Sequence, residues 1–441
     1  MKKIVLSLFV FAISANIVAA DHVMAATKRA PERDVPATLN LSLQEAQDYA
    51  VAENRSLRNA DLAVQKAYAT RWQTIASMLP SVDMSWAYQS MMGYKMNFGG
   101  MPIEMPDNGT FGITASVGIN GQAIVGALLN NTAIEMQKLN LEISEDNLRA
   151  NVKSSYASVL VLEDVVKLLD NSLKNIEHLA AMTQRSVEVG AAEQTTADQI
   201  LVRVNTLKNN INANKRSTQL ALNALKVLLN VPAETELTLT TQLTDMLSAE
   251  AILTLLGQDF VLENNLSYQT LAKNVELAKK NVHMAGWAYG PTIGVGYQYS
   301  EKDYFGKKEG FNMTPPNALS IQVSMPLWSS GKRTAGVVEK KIALEEARNT
   351  FEETSDNLGI QNEQLRYNLQ NAFETYTNEQ ENMSVTQRVF DNTSLKFQQG
   401  VASNLDLVNA SNDLITAQST YVQAVLTLVN AEVELEKFLN L

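Results

Sequence analysis

From about Ile124 to Val189 the chain contains no proline, and its only glycine is Gly126, near the start. Proline deletes an intrahelical hydrogen bond and clashes with the preceding turn, and glycine weakens a helix interior. A run of this length without breakers is therefore read as one long helix. A second proline-free run extends from about Lys332 to Gln399. At about 1.5 Å per residue each reaches on the order of 100 Å if continuous, whereas globular helices average about three turns. Helices of that length do not fit inside a compact domain.

Their neighbours show how they pack. After Gly400, the residues Leu407, Ala410, Leu414, Ala417, Tyr421, Ala424, Leu428 and Ala431 follow alternating steps of three and four. In the first half Ala197, Ile200, Val204, Leu207, Ile211, Asn214, Thr218, Ala221, Leu225 and Leu228 do the same, and Leu344, Phe351, Leu358 and Leu365 recur every seventh residue. These are coiled-coil seams, with alanines that let a neighbouring helix approach closely. A second stripe, Ser403, Asp406, Asn409, Asp413, Thr416, Thr420, Gln423 and Thr427, holds no apolar residue. It reads either as a solvated outer face or as the wall of a water-filled lumen. The short, mostly uncharged side chains favour the lumen, because outer coiled-coil faces carry Glu and Lys in pairs.

Four segments alternate with period two. Val82, Met84, Trp86 and Tyr88 interleave with polar or small residues, as do Phe111, Ile113, Ala115, Val117 and Ile119. In the second half the apolar positions are Ile293, Val295, Tyr297 and Tyr299, then Leu319, Ile321, Val323, Met325 and Leu327. Strands of ~9–11 residues with this pattern suit an outer-membrane barrel. Lipid offers no hydrogen-bond partners, so such a sheet must close on itself, and bacterial barrels begin at about 8 strands. Four strands per chain cannot close alone, so the chain must oligomerise, two copies giving the minimum and three giving 12. The connecting loops, Met91 to Gly109 and Ser300 to Asn317, lie on the side opposite the helices and are expected outside the cell.

Composition narrows the function. The 441 residues are 45% hydrophobic and carry a formal net charge of -11, which disfavours a nucleic-acid face. There is no cysteine, and the three histidines, His22, His178 and His283, are far apart, so thiolate and His-rich metal sites are not expected. No P-loop, dinucleotide fingerprint or HExxH motif occurs, and Ser329-Ser330-Gly331-Lys332 fits Ser-x-x-Lys only where a strand should turn into a helix. No catalysis and no cofactor are expected. Met1-Lys2-Lys3 followed by apolar Ile4 to Ala15 reads as a secretory signal peptide, cleaved after Ala20 or near Ala25. No later stretch is apolar enough for a transmembrane helix.

The halves repeat one plan about 210 residues apart: Val187-Glu188-Val189-Gly190 answers Phe397-Gln398-Gln399-Gly400. The expected segments are 1–20 (signal peptide), 21–80 (N-terminal segment and first helix), 81–120 (first barrel hairpin with its loop) and 121–229 (long helices of the first repeat). They continue as 230–257 (equatorial segment), 258–290 (first helix of the second repeat), 291–328 (second hairpin) and 329–441 (last long helices). The equatorial segment holds a β-like run, Glu236 to Thr240, and an amphipathic helix around Met246 to Leu256.

The stretches Phe397 to Ala410 (FQQGVASNLDLVNA) and Ser324 to Arg333 (SMPLWSSGKR), with the duplicated order of elements, resemble the TolC-like outer-membrane efflux protein family over nearly the whole mature chain. The resemblance implies a mixed fold, a membrane β-barrel plus an all-α part. It implies a homotrimer whose 12-stranded barrel sits in outer-membrane lipid above a 12-helix periplasmic tunnel. It further implies a passive exit duct for efflux or type I secretion, partnered by a periplasmic adaptor and an inner-membrane pump of RND or ABC type. Asp406, Asn409 and Phe397 fall on positions at the closed periplasmic aperture, where three Asp406 carboxylates would repel and raise one another's pKa. Gly190 and Gly400, with Val189 and Val401 beside them, fall on the adaptor-docking tip. Ser403, Asp413, Thr416 and Thr420 would face the lumen. The alternative, a periplasmic coiled-coil adaptor or scaffold without a pore, would need an inner-membrane anchor or a lipoyl-like domain, and neither is read here. The cargo is not legible.

Overall fold

A computed structural model describes residues 37–104, 106–190, 192–305 and 315–441. The expected signal peptide lies outside the described residues, as does the middle of the second loop. In chain order the elements are β1 (Thr38–Leu41), α1 (Leu43–Glu53), α2 (Arg55–Ala76), β2 (Ser81–Gln89), β3 (Lys95–Phe98), β4 (Met101–Glu104) and β5 (Asn108–Asn120). Then come α3 (Gly121–Glu188), α4 (Gln194–Leu228), β6 (Glu236–Leu239), α5 (Leu243–Met246), α6 (Ala249–Leu256) and α7 (Leu266–Gly286). The last are β7 (Thr292–Tyr304), β8 (Asn317–Ser324), α8 (Lys332–Gln398) and α9 (Asn404–Leu439). The two proline-free runs are unbroken helices of 68 and 67 residues. The chain divides into two compact units whose borders fall inside α2, α3, α7 and α8.

One unit, built from Leu62–Lys138 and Thr270–Glu352, is centred on an antiparallel sheet in the order β2-β5-β7-β8. Directly paired residues share a face, and the register sorts them cleanly. Val82, Ala115, Tyr297 and Leu319 form one rung, and Val117, Val295 and Ile321 form another, as do Ile119, Ile293 and Val323. The opposite face carries Ser81, Ser116, Gly296 and Ser320, and Asp83, Thr114, Gln298 and Ala318. One face is thus apolar or aromatic throughout these rungs, and the other is small or polar. β2 and β8, the outer strands, are exposed along their whole length.

Three details depart from the sequence reading. β8 stops at Ser324, so Met325 and Leu327 continue the alternation beyond the strand. Pro326 has no N–H for a further ladder bond. β7 runs past Tyr299 to Tyr304, paired with β5 back to Asn108. The loop from Met91 to Gly109 contains the hairpin β3–β4, turned by Gly99 and Gly100, both at positive φ. Asp107 braces that loop, accepting from the Met91 amide and the Ser90 and Tyr88 hydroxyls.

The other unit, residues 37–61, Leu139–Gln269 and Glu353–Leu441, is helical. Its largest cluster joins Ala46 and Ala50 of α1, Val152, Tyr156 and Leu160 of α3, Leu225 of α4, and Val425, Val429 and Val433 of α9. β1 pairs in parallel with β6, two runs about 200 residues apart. The fully buried Tyr156 ties them down: its hydroxyl donates to the Leu41 carbonyl at 2.9 Å and accepts from the Thr241 amide at 3.0 Å. The expected helix around Met246 to Leu256 is two helices, α5 and α6, because Ser248 caps a new start.

Candidate functional site

The tip of each half is a glycine turn between two long helices. After α8, the Val401 amide reaches the Lys396 carbonyl at 2.9 Å and the Gly400 amide the Phe397 carbonyl at 3.0 Å. This is a Schellman closure, which requires a left-handed residue, and Gly400 has φ +72. Gly190, at φ +76, follows α3 with its own amide on the Val187 carbonyl at 2.9 Å. Val189 and Val401 flank the two glycines and are 79% and 74% exposed, apolar side chains left bare among the described residues.

The two tips differ in how the next helix begins. Glu193, at the cap of α4, makes no capping hydrogen bond with its side chain. Ser403 and Asp406 form a complete capping box at the start of α9. The Asp406 carboxylate accepts from the Ser403 amide at 2.9 Å and from its hydroxyl at 2.6 Å. The Ser403 hydroxyl, and then its amide, hold the Asp406 carboxyl below its ordinary range. Within one chain Asp406 is therefore a charged helix cap. The Ser-x-x-Asp spacing that announces it was there to be read.

Along α9 every member of the polar stripe, Ser403, Asp406, Asn409, Asp413, Thr416, Thr420, Gln423 and Thr427, is exposed. Thr420 also donates to Glu379 of α8 at 3.0 Å. Leu407, Ala410 and Leu414, on the seam, are buried with Leu169, Ile176, Leu179, Ile200, Leu207 and Phe390. Phe397, near the end of α8, is half-buried against this cluster. The structure thus brings Asp406, Asn409 and Asp413 onto one exposed face of α9 and places Phe397 on α8, against the buried cluster.

The packing of α9 on α3 is less apolar than its seam predicts. Ser411 and Gln418 are buried, and Gln418 donates to Ser172 at 3.4 Å, while Ser411 Oγ and Gln418 Oε1 meet no partner among the described residues. Further along, Lys153 bridges Glu432 at 2.8 Å and Glu436 at 2.7 Å. Burial alone draws the Lys153 ammonium down, but the two carboxylates outweigh it and hold it above its usual range. Burial pushes the Glu432 carboxyl up against the pull of Lys153. Among the described residues no cluster of His, Asp or Glu could hold a metal ion, and no helix is long and apolar enough to cross a membrane.

A sheet with one apolar face and two open edges, joined to coiled-coil hairpins with glycine tips, defines an outer-membrane channel protein of the long-helix type. The family model described as "Outer membrane efflux protein" matches residues 47–231 and 259–441, and the chain belongs to that family. It is 23% identical over 301 residues to the outer membrane efflux protein BepC of Brucella suis biovar 1, a match covering 66% of this chain and 63% of BepC, less than two thirds of that protein's length. It is 23% identical over 428 residues to the probable efflux pump outer membrane protein TtgC of Pseudomonas putida, covering 90% of this chain and 83% of that protein. The fold is similar to solved CusC, with a TM-score of 0.74 at 16% identity over 93% of this chain and 95% of that one.

Proposed function

We propose that three copies of this chain join their sheets into a 12-stranded barrel in the outer membrane, above a 12-helix periplasmic tunnel. The assembly is the passive exit duct of a tripartite efflux or type I secretion system, reached through a periplasmic adaptor and energised by an inner-membrane pump of RND or ABC type. One observation carries this reading: among the described residues, β2 and β8 leave both edges of an apolar-faced sheet unpaired. In lipid an open edge has no hydrogen-bond partner, so the sheet closes through identical neighbours. Eight residue steps separate Ile119 from Phe111, whose rung partner Glu301 ends the apolar run; that is about 26 Å along the strand at ~3.3 Å each, or roughly 20 Å of height at a tilt of about 40°, the same order as the ~25 Å apolar band of such barrels.

Asp406 and Asn409, with Phe397 packed behind them, form the periplasmic aperture. Ser403, Asp413, Thr416 and Thr420 line the wall above it. Gly190 and Gly400, with the bare Val189 and Val401, are the adaptor-docking tip. Planar-bilayer recording of the purified protein tests the proposal: stepwise conductance blocked by divalent cations is expected, with weaker block in Asp406→Ala. Block unchanged in that variant rejects the aperture assignment, and no conductance from the folded oligomer rejects the duct.

A further inference from the structure

Charge is distributed unevenly around the points where strands meet helices. Across residues 72–82, 114–134, 284–300 and 317–338, the stretches that enclose all four junctions, the only charged side chains are Lys332 and Arg333. Both are cations, in a chain of net charge -11. Among the described residues neither meets a carboxylate. Lys332 is exposed and without a side-chain partner. Arg333 is held in place: its guanidinium lies 5.2 Å over the Tyr289 ring, Nε donates to Ser329 Oγ at 3.0 Å, and Nη1 donates to the Pro326 carbonyl at 2.6 Å.

Beside this pair the apolar face of the sheet ends at the rung Ile119–Ile293–Val323, and the chain beyond Ser324 leaves the strand but stays apolar. Leu327 and Trp328 follow at 90% and 85% exposure. Trp287 is fixed across Gly121, where a Cβ would come within 2.1 Å of the indole, and remains half-exposed. Indoles at the edge of an apolar band with unpaired cations just beyond them are what a phospholipid headgroup layer takes up: rings settle at the boundary, aliphatic stems lie along it, and ammonium or guanidinium groups meet phosphate.

We propose that the strand-to-helix junctions form a collar for anionic phospholipids of the periplasmic leaflet. Lys332 and Arg333 bind the headgroup phosphate, and Leu327 and Trp328 sit in the acyl chains, so the collar sets the depth at which the protein rides. The proposal rests on the sheet being an outer-membrane barrel. Its charge complementarity and its continuity with the lipid-facing sheet argue for lipid over a neighbouring copy of the chain as the occupant.

The test titrates the full-length oligomer in detergent with phosphatidylglycerol and phosphatidylcholine, and reads bound lipid by native mass spectrometry. The wild type is expected to prefer phosphatidylglycerol. A cation at an anionic headgroup layer is worth roughly fivefold, so Lys332→Gln should cut the preference by about that factor, K332Q/R333Q further, and Lys332→Arg should keep it. Because the Lys332 ammonium has no hydrogen-bond or ion-pair partner among the described residues, its single variant reports binding even where loss of Arg333 disturbs the junction. A photoreactive residue placed at 328 should label lipid. No preference in the wild type, a preference untouched by Lys332→Gln, or labelling of a neighbouring chain overturns the collar. A wild type that forms no membrane oligomer overturns the barrel as well, whereas one that conducts but ignores phosphatidylglycerol overturns the collar alone.

Discussion

Gly121 begins the first long helix directly under the Trp287 indole, and a methyl group there would lie 2.1 Å from its ring carbons. Overpacking of this kind costs about 1–3 kcal/mol. Gly121→Ala should lower the thermal transition of the extracted protein, and adding Trp287→Ala should restore part of the loss; an unshifted transition would contradict the contact. Tyr156 makes a comparable point in the helical unit. Its hydroxyl serves both the Leu41 carbonyl and the Thr241 amide in a fully buried site. Tyr156→Phe strands two backbone groups and should cost about 1–3 kcal/mol, read by denaturant unfolding. Neither contact was legible in the sequence, because each depends on residues far apart in the chain. The Ser403–Asp406 box was legible in its spacing, while its neighbour Phe397 took its place from packing that no local pattern shows.

At the scale of elements, periodicity located the long helices and the runs of β2, β5, β7 and β8, because a two-faced sheet and a heptad seam each leave a repeating mark. It overran β8, where Pro326 ends pairing. It passed over β3–β4, although Gly99-Gly100 is a hairpin signal. It also could not pair β1 with β6, since a four-residue parallel ladder carries almost no pattern. Side-chain networks between elements were equally hidden. In α3 and α7, buried Thr132 accepts from Lys280 at 2.7 Å and donates to Glu276 at 3.2 Å, while Lys280 and Lys273 both pair with Glu276. The hydrogen bond from Lys280 is the chief cause that holds the Glu276 carboxyl down at about 2, from 4.5. A depressed carboxyl stabilises the fold above its unfolded pKa and loses that contribution as pH falls through the folded one. The network should therefore be intact above pH 4.5 and lost toward about 2. Glu276 is 38% exposed, so solvent screening keeps its worth below about 1 kcal/mol. Thermal transitions of wild type and Glu276→Gln should differ at neutral pH and converge on acidification; a gap that widens on acidification would contradict this sign.

For the whole molecule, the distribution of polarity is what supports the proposal that one chain is insufficient. The sheet unit exposes its apolar face and both edges, and the helical unit exposes a polar stripe along α9 beside apolar side chains such as Val189 and Val401. Burial within the chain accounts for the seams and for the cluster around Tyr156, and in the proposed assembly these surfaces meet partners and lipid. Family membership, alternation and closure together lead to one geometric claim, that identical neighbours seal the edges. The mass of the detergent-extracted particle tests it most directly. Three chains per particle, recovered from the outer membrane, is the predicted result, and a single chain that stays in aqueous solution without detergent would contradict the account.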